Sequence, residues 1–248
     1  MKKSVFVILL VFFISAFSIS MYFVVKETVE DKKQYEVFEN IVSSVQVEDD
    51  SSDYTDEKLK RYIELNTENS DFVGWIKIDG THINYPVMKS STPDYYLHRN
   101  FNKEYSYYGT PYLSDKSDTM KPTDNIVIYG HNMRDGSMFA TLNEYDEQSY
   151  YDGHPQMYLV TPDGGYVVEI FTAFVAKPSE SGSDTSPWRL SFKDDGAYTT
   201  WLSEMAGRSV IETDVTVTSS DKVLTLSTCT PGGASRFIVM GKLAAVND

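Results

Sequence analysis

The chain has 248 residues, of which 41% are apolar, 14% aromatic and 23% charged, and this composition excludes low-complexity and collagen-like proteins. Its 22 Lys and Arg residues and 36 Asp and Glu residues give a formal net charge of −14. The cations are scattered along the sequence, whereas phosphate binding needs them clustered. The composition therefore argues against nucleic acid as a partner.

An uncharged apolar run lies at the N-terminus. Residues 5–25 contain no charged side chain, and Lys26 follows them. At ~1.5 Å rise per residue, a helix of this length crosses a ~30 Å hydrocarbon core. A cleaved signal peptide usually has a shorter apolar stretch, and the small residues Ser15 and Ala16 lie in the middle of this one. We therefore predict an uncleaved signal anchor over 1–26, a single membrane pass, and an exported C-terminal domain outside the cell membrane.

A charged and polar stretch follows over 27–69 and predicts a membrane-proximal stalk. Helical spacing of its few apolar residues predicts a helix over 28–46. An acidic linker is expected over 47–57, and a second helix from Asp56 to Leu65.

The pattern changes to short apolar runs from residue 70 to residue 248. Asp79-Gly80 separates the runs 72–78 and 81–88, which predicts a β-hairpin with a type I′ turn. Further strands are predicted at 111–115, 125–130, 157–161, 166–176, 222–229 and 236–246, and helices at 140–145 and 195–209. Since no βαβ alternation occurs, we predict a mainly β fold, a closed antiparallel β-barrel with peripheral helices.

Two residues with reactive side chains stand where apolar strands end. His131 follows the strand at 125–130, and Cys229, the single cysteine, ends the strand at 222–229. A hairpin turn after Cys229 would bring Arg236 back towards the thiol. A thiol nucleophile, an imidazole proton carrier and a guanidinium donor together can perform acyl transfer.

Each of these residue types taken alone is more often structural. A histidine at a strand end is usually a surface or hydrogen-bonding residue, an arginine a surface cation, and a lone cysteine a small buried apolar side chain. The other histidines are interpreted in that way; they are His82, His98 and His154.

Two segments, 125–145 and 224–243, resemble the signature blocks of sortases, specifically those of class B. The second contains the run Leu226-Ser227-Thr228-Cys229, preceded by Thr225, and the first contains Tyr129-Gly130-His131-Asn132. The stretch 74–115 is similar to the N-terminal part of the class B barrel. The resemblance therefore covers about 70–246, nearly all of the exported part.

The resemblance implies roles for individual residues. Cys229 corresponds to the nucleophile, His131 to the general acid and base, and Arg236 to the residue that positions substrate and stabilises the oxyanion. Positions that contact the substrate correspond to Leu97, Ser227 and Thr228. Sortases use no metal or organic cofactor, so none is expected.

The function implied is that of a membrane-anchored cysteine transpeptidase. It would cleave a C-terminal sorting signal after threonine through a thioester, and transfer the surface protein to the amine of a cell-wall peptide or lipid-linked precursor. Six residues separate Cys229 from Arg236, fewer than in many class B members, so a pilin-polymerising sortase is an alternative. Two further alternatives are a cysteine peptidase whose thioester is resolved by water and a non-catalytic binding domain.

Overall fold

The computed structural model describes residues 2–45, 64–114, 117, 123–161 and 164–245, and the chain divides into two units, Met1–Ile41 and Val42–Asp248. The described helices are α1 (Lys2–Val45), α2 (Gln148–Gly153) and α3 (Asp195–Gly207), with 3₁₀ helices at Tyr95–His98, Ala140–Asp146 and Pro178–Glu180. Residues 64–68 are also helical. The described strands are β1 (Phe72–Lys77), β2 (Asn84–Met88), β3 (Tyr112–Leu113), β4 (Asn125–Tyr129), β5 (Gln156–Thr161), β6 (Gly164–Ala176), β7 (Val223–Cys229) and β8 (Arg236–Ala245).

Helix α1 joins two segments that the sequence suggested were separate helices. It runs without interruption through Lys26 because residues 2–45 contain neither proline nor glycine to end it. Its segment Lys3–Lys26 has a mean hydropathy of 2.5 and is long and apolar enough to cross a membrane. The acidic linker expected at 47–57, and most of the helix expected from residue 56 onwards, lie outside the described residues.

The strands form a closed barrel in the order β1-β2-β3-β4-β7-β8-β6-β5, and β5 pairs with β1 to close it. The prediction of a closed, mainly antiparallel barrel is confirmed. Two of the pairings between the described strands are parallel, however: β2 with β3, and β4 with β7. A parallel pair requires a long crossover connection, and the chain between β4 and β7 supplies one, since it contains β5, β6 and α3.

The hairpin of β1 and β2 is confirmed, but its turn differs from the prediction. A type I′ turn needs a positive φ at both central residues. Only Gly80 of the Asp79-Gly80 pair has one, at 75°. Residues 78–83 instead form a wider connection, closed by the N–H of Ile78, which donates to the carbonyl of Ile83 at 2.8 Å.

Helix α3 packs its apolar face on the outside of the barrel. Its N-terminus is capped by Asp194, whose Oδ1 accepts from the N–H of Ala197 at 2.9 Å. Four side chains at helical spacing are buried against β6, β7 and β8: Tyr198, Trp201, Leu202 and Met205. The indole N–H of Trp201 donates to the carbonyl of Ser186 at 2.9 Å, so the helix also holds down the preceding loop.

Asn125, at the start of β4, links the barrel to that same loop. Its side chain is fully buried. Its Nδ2 donates to the carbonyls of Pro187 and Arg189 at 3.1 and 2.9 Å, and its Oδ1 accepts from the hydroxyl of Thr225 in β7 at 2.8 Å. One amide thus satisfies two loop carbonyls and a hydroxyl of the neighbouring strand.

Replacing Asn125 by alanine is expected to destabilise the domain by about 2–4 kcal/mol, because three buried polar groups lose their partner at once. The free energy of unfolding in urea measures the effect. Thr199→Ala is the control, since the Thr199 hydroxyl makes only an exposed bond within α3 and its loss should cost less than about 0.5 kcal/mol. Equal stabilities for the two variants would contradict the role given to Asn125.

Candidate active site

The parallel pairing of β4 with β7 brings two strand ends together. Tyr129 is opposite Ser227 in the register, and the N–H of Gly130 continues the ladder by donating to the carbonyl of Ser227 at 3.1 Å. His131 and Cys229 each lie two residues beyond the last paired position. Both residues therefore lie at the same edge of the sheet, as neighbours.

The connection between β7 and β8 places Arg236 beside Cys229. The two residues face each other in the antiparallel register of these strands. The chain reverses through a turn at 230–233, whose last N–H donates to its first carbonyl at 2.8 Å. Pro231 takes the second position and Gly232, with a φ of 85°, the third, which is the sequence preference of a type II turn. The sequence-based expectation that a hairpin turn returns Arg236 to the thiol is met.

The ring of His131 is held by contacts on two sides. Its Nε2–H donates to the carbonyl of Leu97 at 2.8 Å, and the ring of His98 stacks on it with a centroid separation of 5.5 Å. Burial lowers the pKa of His131 below its ordinary value, the hydrogen bond to Leu97 acts in the opposite direction, and the nearby His98 lowers it further. The net direction is downward, so the neutral imidazole is favoured at neutral pH.

The tautomer of His131 follows from this hydrogen bond. A carbonyl oxygen can only accept, so Nε2 carries the proton and Nδ1 holds the lone pair in the neutral ring. Nδ1 is consequently the nitrogen that can exchange a proton with the neighbouring thiol or with a substrate amine. Cys229 itself is a half-buried free thiol.

Two asparagines fix the main chain of Cys229. The Nδ2 of Asn132 donates to the carbonyl of Cys229 at 2.9 Å, and the Nδ2 of Asn143 donates to the same oxygen at 3.2 Å. Sequence reasoning missed both. Asn132 follows His131 directly and could have been suspected on that ground, but nothing in the sequence connects Asn143 with a residue 86 positions away.

A cleft of about 870 Å³ contains the predicted site residues. One wall is the loop before α3, which contributes Ser186, Trp188 and Arg189, and the floor is formed by the ends of β4, β7 and β8. All six residues predicted from the sequence line this cleft; they are Leu97, His131, Ser227, Thr228, Cys229 and Arg236.

The hydroxyls of the two predicted substrate contacts on β7 are already engaged with the protein. Trp188 donates its indole N–H to the Oγ of Ser227 at 3.1 Å, and Thr228 donates its hydroxyl to the carbonyl of Gly130 at 2.8 Å. The first bond ties the wall of the cleft to its floor. The second ties β7 to the residue before His131. Substrate contact by these two residues stays a prediction.

Among the described residues, no three His, Cys, Asp or Glu side chains are grouped so that they could hold a metal ion. The residues that do converge are a thiol, an imidazole and a guanidinium. That set can carry out nucleophilic acyl transfer, with the thiol as the attacking group.

Comparison with known proteins identifies the class to which this fold and site belong. Residues 76–244 match the family model described as the sortase domain. The chain belongs to the sortase family, whose members are cysteine transpeptidases, and the resemblance drawn from the sequence is thereby confirmed.

The relatives narrow the assignment to class B. The chain is 30% identical over 229 residues to sortase B of Staphylococcus aureus, with 91% of each chain covered. It is 29% identical over 245 residues to sortase B of Listeria monocytogenes, covering 98% of this chain and 96% of the relative. A solved S. aureus sortase B–substrate complex superimposes with a TM-score of 0.79 at 29% identity, covering 88% of this chain and all of that one.

The environment of His131 gives a titration that can be tested. Nuclear magnetic resonance should show this ring titrating below pH 6.5, with Nε2 protonated in the neutral form, because burial disfavours the imidazolium. His131→Gln identifies the signal by its loss.

The same shift has a consequence for stability. His131 binds a proton at a higher pH in the unfolded chain than in the folded chain. Its contribution to the free energy of unfolding is therefore fully present above about pH 6.5, and it is lost as the pH falls from there towards the folded pKa. Urea unfolding at several pH values should show a smaller acid loss in His131→Gln. An equal loss in both proteins would contradict the shift.

Proposed function

We propose that this sortase joins surface proteins to an amine acceptor by a two-step reaction at Cys229, with His131 as the proton carrier and Arg236 as the oxyanion donor. The observation that supports this is the convergence of these three side chains at the end of β4 and β7, in one open cleft. The surface protein would carry a C-terminal sorting signal and be cleaved after its threonine.

In the first step, the thiol of Cys229 transfers its proton to Nδ1 of His131 and attacks the threonine carbonyl. A bond forms between Sγ and the carbonyl carbon, and the carbonyl oxygen becomes an oxyanion. When the C–N bond breaks, the imidazolium returns the proton to the departing amine. The products are a thioester on Cys229 and the released C-terminal peptide.

We assign the oxyanion to Arg236 because the first backbone N–H after the nucleophile already has a hydrogen-bond acceptor. The N–H of Thr230, directly after the nucleophile, donates to the carbonyl of Ser235 at 3.0 Å. Arg236 uses its Nη1 on the carbonyls of Gly233 and Ser235, at 3.2 and 3.1 Å. This leaves the donors on Nε and Nη2 for a substrate oxygen.

In the second step, an acceptor amine attacks the thioester, gives a proton to His131 and displaces the Cys229 thiolate. A second groove, of about 570 Å³, reaches Cys229 from the side formed by residues 132–144 and 230–233. The thioester would therefore be accessible while the cleft still holds the acyl group. We assign this groove as the approach path of the acceptor amine.

The acceptor and the exact substrate distinguish the members of this class. A cell-wall peptide amine, or that of a lipid-linked precursor, is the proposed acceptor. The six-residue connection between Cys229 and Arg236 is short, which keeps pilus polymerisation as an alternative. Leu97, Ser227 and Thr228 are assigned substrate contacts because they line the cleft.

Three substitutions separate the proposed roles. Cys229→Ala should form neither thioester nor product, because it has no nucleophile. His131→Ala should lower acylation by about 10²–10⁴-fold through loss of the proton carrier. Arg236→Lys should lower kcat/KM by about 10²–10³-fold, because lysine lacks the planar fork of donors. Cleavage of a panel of threonine-containing sorting peptides by each purified variant measures these effects.

Arg208→Lys is the matched control, since Arg208 is the half-buried C-cap of α3, does not line the cleft and pairs with Glu180. Its activity should equal that of the unaltered protein. Full activity in Cys229→Ala would disprove the mechanism, and full activity in Arg236→Lys would remove that residue from it. Peptide cleavage without an aminolysis product, even with added amine, would indicate a peptidase that uses water.

We further propose that the segment Lys3–Lys26 anchors the enzyme in the cell membrane with the catalytic domain outside. Protease added to intact protoplasts should then digest the domain and leave an N-terminal tag protected. Recovery of a soluble protein that begins between residues 17 and 26 would show that the segment is cleaved instead.

A further inference from the structure

Three aromatic rings form a stack that begins at the surface and ends at the proposed proton carrier. The ring of His98 lies between those of Tyr105 and His131, with centroid separations of 6.2 and 5.5 Å and interplanar angles of 27° and 29°. Both separations are in the range of stacked aromatic pairs. One face of the His131 ring is thus covered by another histidine.

The backbone that carries His98 is fixed. His98 is the last residue of the 3₁₀ helix Tyr95–His98, and its carbonyl accepts from the N–H of Ser106 at 3.1 Å. The next residue, Arg99, forms a β-bridge with Tyr105. The His98 side chain is exposed. Its main chain, however, is fixed by these two contacts, so the position from which the ring extends is fixed as well.

The same turn supplies both contacts of the His131 ring. Leu97 accepts from Nε2–H, and His98 covers the ring face. A single hydrogen bond fixes the position of one ring atom but allows the ring to tilt about it. A stacked neighbour fixes the plane, and with the plane the direction of Nδ1. Proton transfer depends steeply on such alignment.

We propose that His98 is a positioning residue for His131, holding the imidazole plane so that Nε2 donates to Leu97 while Nδ1 is directed to the thiol and the substrate amine. This inference rests on the proposed function of His131 as the proton carrier. His98 does not line the cleft itself and acts through the neighbouring ring.

Several ionisable groups surround the pair. Tyr105 stacks on His98, Arg99 follows it in the chain and lies over the ring of Tyr95, and the groups that line the cleft with His131 are Asp94, Tyr129, Cys229 and Arg236. Across the cleft, Asp184 and Arg189 form an ion pair with each other at 2.9 Å. Besides burial and the Leu97 hydrogen bond, His98 is the group that shifts the pKa of His131, and it lowers it. His98 therefore influences both the orientation and the charge of the proton carrier.

Two substitutions distinguish the effect of the His98 ring on His131 from the effect of its ionisable nitrogens. His98→Phe keeps a flat ring in the stack and removes the titratable nitrogens, whereas His98→Ala removes both. His98→Ala should lower kcat for the best-cleaved sorting peptide about tenfold and leave KM within about twofold, because alignment and not substrate binding is lost. His98→Phe should recover kcat to within about threefold of the unaltered protein.

Magnetic resonance of His131 gives a readout that needs no substrate. The His131 pKa should rise in both variants, since each removes the imidazole of His98, which lowers that pKa, and rise more in His98→Ala, which also opens the ring to water. The nitrogen shifts should report Nε2–H in His98→Phe and a mixture of tautomers in His98→Ala. His82→Ala, another exposed histidine, is the control and should change neither measurement.

The outcomes distinguish this inference from the function on which it rests. If Cys229→Ala abolishes cleavage but His98→Ala keeps full kcat and an unchanged His131 titration, the positioning role is disproved and the transpeptidase stands. If His98→Phe is as impaired as His98→Ala, the ring is not what His131 needs, and the inference also fails. If no sorting peptide is cleaved by the unaltered protein, the function fails, while the His131 tautomers still decide whether His98 orients the ring.

Discussion

The site depends on the parallel pairing of β4 with β7. Strands that run in the same direction end at the same edge of a sheet, so His131 and Cys229 leave the barrel side by side. If these strands were antiparallel, the end of β4 would lie beside the start of β7, and Cys229 would lie about 20 Å away, at the other end of the seven-residue strand β7. The buried bond of Asn125 with Thr225 and that of Thr228 with Gly130 favour the native register, since a slip would leave these polar groups without partners.

Much of the barrel was predictable because its strands are short, apolar and separated by turn residues. Each of the strands predicted after residue 110 has its counterpart in the structure within two residues at either end. Which strands are neighbours was not predictable in the same way. Local patterns determine hairpins such as β7 with β8, whereas the pairing of β4 with β7 joins segments almost 100 residues apart and is decided by how the intervening elements cover the barrel.

The site residues also divide into those that local sequence patterns indicate and those that only long-range contacts bring together. Cys229, His131 and Arg236 could be found because reactive side chains at strand ends are unusual, and because they stand in segments that resemble a known family. The sequence predicts His98 to be a surface or hydrogen-bonding histidine, which agrees with its exposure but gives no indication of its stacking on His131. Asn143 and Trp188 act through bonds to residues 86 and 39 positions away. No periodicity or spacing encodes such contacts, which arise only when the barrel closes.

The partner of His131 is a backbone carbonyl, and this choice determines how the ring handles a proton. A carboxylate partner would favour the imidazolium through its charge, whereas a carbonyl offers only a dipole. Burial lowers the pKa of His131 by more than the hydrogen bond to the carbonyl raises it, and His98 lowers the pKa further. The imidazolium therefore holds its proton weakly. In the proposed reaction, a weakly held proton passes readily to the departing amine but is taken reluctantly from the thiol of Cys229. In that reaction, the environment of His131 therefore assists protonation of the leaving group more than deprotonation of the thiol.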